Sequence, residues 1–254
     1  MKTFIIAEAG SVHDGSFGNA LKLCNLAKKS GADAIKFQMH IANEETLKNA
    51  PSPSHFKSES RFGYFNRTSF SIDQWKKIKM FCNKIKIEFF VSVFSEKAVE
   101  ISKKLKLKYI KIPSGEVTNL PLLKKISKTN MIKILSTGMS DFSEIGEAVK
   151  FLGKKVVIMQ CTSLYPTINK FVGLNVIKDL KKKFPKCKIG FSDHSNNNAA
   201  AIGAVVCGAK YIEKHITFSN EMYGSDAKFA YEPKNFLTYC SEIKNIAEII
   251  NNPV

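Results

Sequence analysis

Lys188-Ile189-Gly190-Phe191-Ser192-Asp193-His194, then an amphipathic stretch over 197–208, then Tyr211-Ile212-Glu213-Lys214-His215-Ile216-Thr217 make the pattern that decides the fold. Both flanking runs are short, rich in branched and aromatic residues and alternating in polarity, as strands are. The stretch between them repeats its apolar residues at helical spacing. Strand, helix and strand in that order make a βαβ unit, whose strands run parallel. Working outward, the same alternation fills the chain. Further β-rich runs lie at Phe4 to Gly10, Ala34 to Met39, Glu88 to Phe94, Tyr109 to Pro113, Met131 to Thr137 and Val156 to Thr162. Helical patterns lie near 19–30, 73–86, 96–106, 119–128, 143–152 and 172–184, with a last one near 234–251. Eight βα units in 254 residues are the arithmetic of a single-domain α/β fold over 1–254, the (β/α)8 TIM barrel.

Helix punctuation agrees: Ser71 and Asp73 precede the helix carrying Trp75, and Pro121 falls in the first turn of another. The one irregular insertion follows the second strand at about 41–71, and contains Pro51, Pro53, His55, Arg61, Tyr64 and Arg67. Leaving the C-terminal end of a strand, it would overhang the face where barrel enzymes work.

Composition narrows the class. At 44% hydrophobic and 24% charged residues, the chain is neither disordered nor a disulfide scaffold. No apolar run reaches the roughly 18–20 residues of a membrane span, and Glu8 interrupts the apolar start. The expectation is a cytoplasmic protein without signal peptide. Six cysteines (Cys24, Cys82, Cys161, Cys187, Cys207, Cys240) at long intervals, with no C-x-x-C pair, read as reduced and mostly buried thiols. The net charge of +17 is almost all lysine, with Arg61 and Arg67 the only arginines. Without arginine–aromatic interleaving, it reads as a solvated coat that attracts anionic substrates, not as a nucleic-acid surface.

Strand parity locates the chemistry, because alternate side chains point to opposite faces. In the second run Ile35, Phe37 and Met39 suit the helix layer, which sends Lys36 and Gln38 into the barrel. In the seventh, Ile189 and Phe191 oppose Ser192 and His194; in the eighth, Ile212 and Ile216 oppose Glu213, His215 and Thr217. Glu8 shares its side with Phe4 and Ile6. Barrel interiors are normally filled with branched apolar residues, so polar groups at the last inward positions mark an active site. A lone buried histidine is usually structural. His194 and His215, ending neighbouring strands, instead come within reach of one divalent ion. His13, His40 and His55 lie elsewhere. Lys36 and Lys111, read as facing the interior from neighbouring strands, require bound anions or paired carboxylates, and Glu8 and Glu116 are the candidates for that pairing.

At this point the residues resemble a known family. Ala7-Glu8-Ala9-Gly10-Ser11-Val12-His13-Asp14-Gly15, Ile35-Lys36-Phe37-Gln38, Lys111-Ile112-Pro113-Ser114-Gly115-Glu116, Leu135-Ser136-Thr137-Gly138-Met139, Cys161-Thr162-Ser163-Leu164-Tyr165-Pro166-Thr167, Gly190-Phe191-Ser192-Asp193-His194 and Ile212-Glu213-Lys214-His215 resemble, in order, the sialic acid synthases. These N-acetylneuraminate, legionaminate and pseudaminate synthases condense phosphoenolpyruvate with an N-acetylated hexose and release phosphate. The resemblance implies that His194 and His215 hold a divalent metal, Mn²⁺ with Mg²⁺ or Co²⁺ as alternatives, as Lewis acid on the sugar aldehyde. It implies that Lys36, Lys111, Ser92 and Ser114 bind phosphoenolpyruvate, that Glu116 orients or deprotonates the attacking water, and that Glu8 contacts sugar hydroxyls or metal-bound water. Tyr165 and Ser163 would meet the sugar and its acyl group, and Gln38 and Asp226 would bond its chain.

Departures from the family pattern fall at Val12, where asparagine is common, at Gln160, often histidine, and at Tyr223-Gly224-Ser225-Asp226-Ala227, where the family has P-G-P-D-H. They are expected to surround the sugar side. Typical bacterial members also carry a C-terminal antifreeze-like domain that lends an arginine to a dimer partner's site, and this chain stops at Asn251-Asn252-Pro253-Val254. Truncation, a separate cap protein, or closure by the chain's own loop with Arg61 or Arg67 in the arginine's place are the alternatives, and a homodimer is compatible with each. Competing functions are another phosphoenolpyruvate–aldose condensation, a metal aldolase on the same barrel, and a non-catalytic barrel subunit of a glycan-synthesis complex.

Overall fold

The computed structural model describes residues 2–52, 59–153, 155–224 and 226–252. Eight strands, β1 (Phe4–Gly10), β2 (Ala34–Met39), β3 (Glu88–Val93), β4 (Tyr109–Ile112), β5 (Ile132–Ser136), β6 (Val156–Cys161), β7 (Lys188–Asp193) and β8 (Tyr211–His215), close in sequence order into a barrel. Every pairing is parallel, β8 returning to β1 with Glu8 opposite His215. The helices are α1 (Phe17–Lys29), α2 (Ala42–Glu45), α3 (Arg61–Thr68), α4 (Ile72–Lys84), α5 (Glu96–Lys104), α6 (Leu120–Ser127), α7 (Phe142–Leu152), α8 (Leu174–Lys183), α9 (Ala199–Val206) and α10 (Pro233–Asn251). All the expected strands and helices are present, with ends unchanged or shifted by one or two residues.

Local chemistry explains the helix starts. Ser71 and Gln74 form a reciprocal capping box on α4, and Asp141 and Glu144 another on α7, so orphan N–H groups are satisfied in each first turn. Asn119 caps α6, with Pro121 where its missing N–H costs nothing. Outward strand residues such as Ile35, Phe37, Met39, Phe89 and Val91 pack under the helices, with Trp75 of α4 on the rings of Phe37, Phe70 and Phe89.

The inward residues form two storeys. Ile6, Ala34, Phe90, Tyr109, Ile134, Val157, Met159 and Tyr211 fill the lower barrel with an apolar plug. Two residues further along the strands, the inward positions are Glu8, Lys36, Ser92, Lys111, Ser136, Cys161, Ser192 and Glu213, one from each strand. All eight line a single cavity at the C-terminal ends of the strands. The alternation of a strand turns a dry plug into a polar floor in one step.

The segment after β2 is more ordered than an irregular insertion: it contains α2 and α3, while Pro53 and His55 lie outside the described residues. Its first turn is tied down by His40, whose Nδ1 lies 2.6 Å from Glu45 and whose ring stacks on Phe65 and Phe94. Among the described residues no helix is long and apolar enough to cross a membrane. All six cysteines are free thiols, four of them buried.

Candidate active site

The cavity holds about 260 Å³. Its floor is an ion network with four charged side chains, all almost wholly buried. Lys36 pairs with Glu8 at 2.6 Å and donates to Ser92 Oγ at 2.8 Å. Lys111 donates to both oxygens of Glu213 at 2.7 and 2.8 Å, and Ser192 adds a bond to the same carboxylate at 3.2 Å. Lys36 also lies 3.7 Å from Glu213, which joins the two pairs into one network. Burial pushes the Glu213 carboxyl up, but Lys111 and Lys36 outweigh it and hold it at about 2. Glu8 goes the other way: burial, with Glu213 adding to it, overrides Lys36 and raises its carboxyl to about 7. Of the two carboxylates, one stays ionised and the other exchanges its proton near neutrality.

Above this floor stand the two imidazoles, their ring centroids 5.6 Å apart. His194 Nδ1 donates to the Thr162 carbonyl at 2.8 Å, so that in the neutral form the lone pair is on Nε2. Burial depresses His215 to about 4, so it is neutral, and its buried Nδ1 has no hydrogen-bond partner. Tyr165 covers the pair, its ring 4.1 Å from His194 and 6.2 Å from His215. Burial disfavours the charged form of His194, but the Cys161 thiol and the Thr162 carbonyl outweigh it and raise its pKa above the ordinary value. Two imidazoles, one held by a backbone carbonyl and one with an orphaned nitrogen, are a donor set that suits a divalent ion once His194 gives up its proton. Among the described residues no third histidine, cysteine or carboxylate completes such a set.

Ten of the twelve candidate residues line this cavity: Glu8, Lys36, Gln38, Ser92, Lys111, Ser114, Ser163, Tyr165, His194 and His215. Asp226 stands at its edge, its carboxylate against Gly10 at the end of β1. Gly10 has φ +53°, and any side chain there would overlap that carboxylate. Glu116 is half-buried outside the lining and accepts a 2.7 Å bond from Asn119. Its expected pairing with lysine is corrected: Glu213 takes that place. Lys36 and Lys111 are not on adjacent strands either, since β3 lies between them and its Ser92 bonds Lys36.

Sequence reasoning left Glu213, Ser136, Cys161 and Ser192 off the list of candidates. Parity had already turned Glu213 and Ser192 inward, and the need to neutralise two buried lysines was the signal for the glutamate. Two of the departures expected on the sugar side face away from it: Val12 is packed in the outer core, and Gln160 points outward to the Val172 carbonyl. Neither Arg61 nor Arg67 lines the cavity, and Arg67 is engaged by Glu59 and Asp14 at 2.7 and 2.9 Å. His13 is a structural histidine, its ring packed at a tilt on Phe70 and its Nδ1 accepting from Gly15 N–H at 3.1 Å.

A closed barrel with one charged cavity at the C-terminal strand ends defines the class: a (β/α)8 barrel of the kind in which enzymes bind small substrates. Within that class the chain belongs to the NeuB family, which matches residues 23–254. It is 37% identical to the N,N'-diacetyllegionaminic acid synthase of Campylobacter jejuni over 100% of this chain and 79% of that protein. It is 31% identical to the human N-acetylneuraminate-9-phosphate synthase over 98% of this chain and 72% of that protein. Among solved structures, the N-acetylneuraminic acid synthetase of Leptospira borgpetersenii superposes with a TM-score of 0.87 at 30% identity, covering 100% of this chain and 87% of that one.

Proposed function

We propose that this protein condenses phosphoenolpyruvate with the open-chain form of an N-acetylated hexose, giving a nine-carbon sugar acid and inorganic phosphate. One observation carries the proposal: two buried ammonium groups, Lys36 and Lys111, share one cavity with the hydroxyls of Ser92, Ser114, Ser136 and Ser192 beneath the imidazoles of His194 and His215. Compact cations and hydroxyl donors suit the carboxylate and phosphate of phosphoenolpyruvate. Glu213, held ionised, holds both ammoniums in place before the anion arrives; the pKa of Lys36 is raised, whereas burial still lowers that of Lys111 despite Glu213. The wider mouth, with Tyr165, Ser163, Gln38 and Asp226, is assigned to the sugar and its acyl group.

In the reaction a carbon–carbon bond forms between C3 of phosphoenolpyruvate and the sugar aldehyde, whose oxygen takes a proton. Water then adds at C2, loses a proton, and the phosphohemiketal collapses to a ketone as the C2–O bond to phosphate breaks. Glu8, opposite His215 and exchanging its proton close to neutrality, is suited to supply the proton at the aldehyde oxygen. Glu116, whose carboxyl is raised by burial, is assigned to the attacking water from the rim. His194 and His215 are assigned to a divalent ion, Mn²⁺ before Mg²⁺ or Co²⁺, which when bound supplies Lewis acidity toward the aldehyde oxygen. Tyr165, Leu164 and Phe171 are exposed beside the mouth, which favours closure of the sugar side by a second copy or a cap protein. The six free thiols favour a cytoplasmic setting.

The test is phosphate release from phosphoenolpyruvate with Mn²⁺ and a panel of N-acetyl and di-N-acetyl hexoses. Sugar-dependent release that is lost with chelator and in His194→Ala is the expected result. Release without sugar, or release indifferent to both controls, would refute the assignment.

A further inference from the structure

Behind the imidazole pair, on the opposite face of the barrel wall, lies a second charged network that the reaction as proposed does not use. Asp193 and Lys214 are each 1% exposed and form a 3.2 Å ion pair. They are directly opposed in the β7–β8 ladder, the last pair in its register. Elsewhere on these two strands the outward face is apolar, with Ile189, Phe191 and Ile212 in the core under the helices. A buried ion pair in such a place is usually no more stable than a well-packed apolar pair of the same volume. Stability alone therefore does not account for it.

The bonds around it show what it holds. Asp193 Oδ1 accepts from the backbone N–H of Ser195 at 2.8 Å and from its hydroxyl at 2.7 Å. An Asp carboxylate bonded to the N–H two residues on bends the chain, and the residue at the bend is His194. Lys214, the residue before His215, donates to Asp193 and also to the Ser195 carbonyl, so the strand bearing one imidazole is tied to both sides of the turn bearing the other. From α10, Tyr239 donates to Asp193 Oδ2 at 3.0 Å. Tyr231 lays its ring 4.2 Å from the Lys214 ammonium, while its backbone N–H donates to the His215 carbonyl at 2.9 Å. Asp193 Oδ1 and the Lys214 ammonium are spent on the Ser195 peptide groups beside His194, and Asp193 Oδ2 is held by Lys214 and Tyr239.

We propose that the Asp193–Lys214 pair, completed by Tyr231 and Tyr239, is a positioning device that sets the separation and ring orientation of His194 and His215 from behind the barrel wall. None of the four is a catalytic residue. Their effect is transmitted through the backbone, and its consequence for metal binding rests on the function proposed above.

The test compares the parent chain with Lys214→Met and with the apolar triple variant Asp193→Leu/Lys214→Met/Tyr239→Phe, which leaves no buried charge behind and only the Ser195 peptide groups without these partners. Thermal unfolding reports stability, the ¹⁵N imidazole spectrum of the metal-free protein reports the tautomer of His194, and titration with Mn²⁺ alone reports affinity. Lys214→Met is expected to melt well below the parent, and the triple variant to regain most of that loss. The triple variant is nevertheless expected to lose the slowly exchanging Nδ1–H signal of His194 and to bind Mn²⁺ at least tenfold more weakly. Restored stability together with a parental imidazole spectrum and affinity would overturn the proposal, since the network would then serve packing only. If the triple variant does not fold, Lys214→Met decides by the same two readouts. A parent chain that does not bind Mn²⁺ would sink the metal assignment, and the metal-free spectra would still decide the positioning role.

Discussion

Lys111→Met is the substitution through which the cavity floor can be measured. The methionine keeps the stem and removes an ammonium that donates to Glu213 at 2.7 and 2.8 Å in a fully buried site. Removing one partner of a buried pair costs about 3–5 kcal/mol. Glu213 retains the Ser192 hydroxyl at 3.2 Å and Lys36 at 3.7 Å, which places this case at the lower end, about 3 kcal/mol. For a chain of this size each kcal/mol moves Tm by about 2–4 °C, so the expected drop at pH 7 is roughly 6–12 °C. The pH dependence has a definite sign. Glu213 titrates at about 2 in the folded chain against 4.5 ordinarily, so its stabilisation is full above about pH 4.5 and is lost as pH falls toward 2. In Lys111→Met the main cause of the lowered value is gone and the acid loss begins at higher pH. Lys111→Met/Glu213→Gln should recover at least half of the Tm loss, a coupling of about 1–3 kcal/mol in a double-mutant cycle. Calorimetry and urea titration of the four proteins are the assay. A single variant within 2 °C of the parent, or a double variant equal to the sum of the singles, would refute the network as drawn.

Three further outcomes are expected. His13 titrates at about 3 when folded, because burial disfavours its charge, against 6.5 when unfolded. Its contribution is full above pH 6.5 and falls by about 2 kcal/mol between pH 7 and 5, so urea titrations of His13→Phe should show a flatter acid slope by that amount. Gly10→Ala forces a side chain onto φ +53° and against Asp226; a stability loss of about 1–2 kcal/mol with a raised KM for the sugar is expected, and unchanged kinetics would remove Asp226 from the site. Tyr165→Ala uncovers both imidazoles and should raise KM for the sugar about tenfold or more while Tyr165→Phe stays near the parent, measured by initial rates of phosphate release.

The sequence by itself determined the barrel, because eight βα periods are local patterns and each strand shows which face it buries. It also turned Lys36, Glu213, His194 and His215 inward, since parity needs no knowledge of neighbours. What it left open was pairing. Glu116 lies five residues beyond Lys111, Glu213 lies 102, and only barrel closure decides that the distant carboxylate is the partner. The same holds for Val12 and Gln160, which sit beside site motifs in sequence yet face the helix layer, and for Arg67, whose charge is taken up by Asp14 across the fold. The split of Glu8 and Glu213 into a carboxyl near 7 and one near 2 was likewise decided by tertiary structure. Identical side chains differ there chiefly in how two lysines are shared between them in a buried site, and that sharing is a matter of ångströms no linear pattern records.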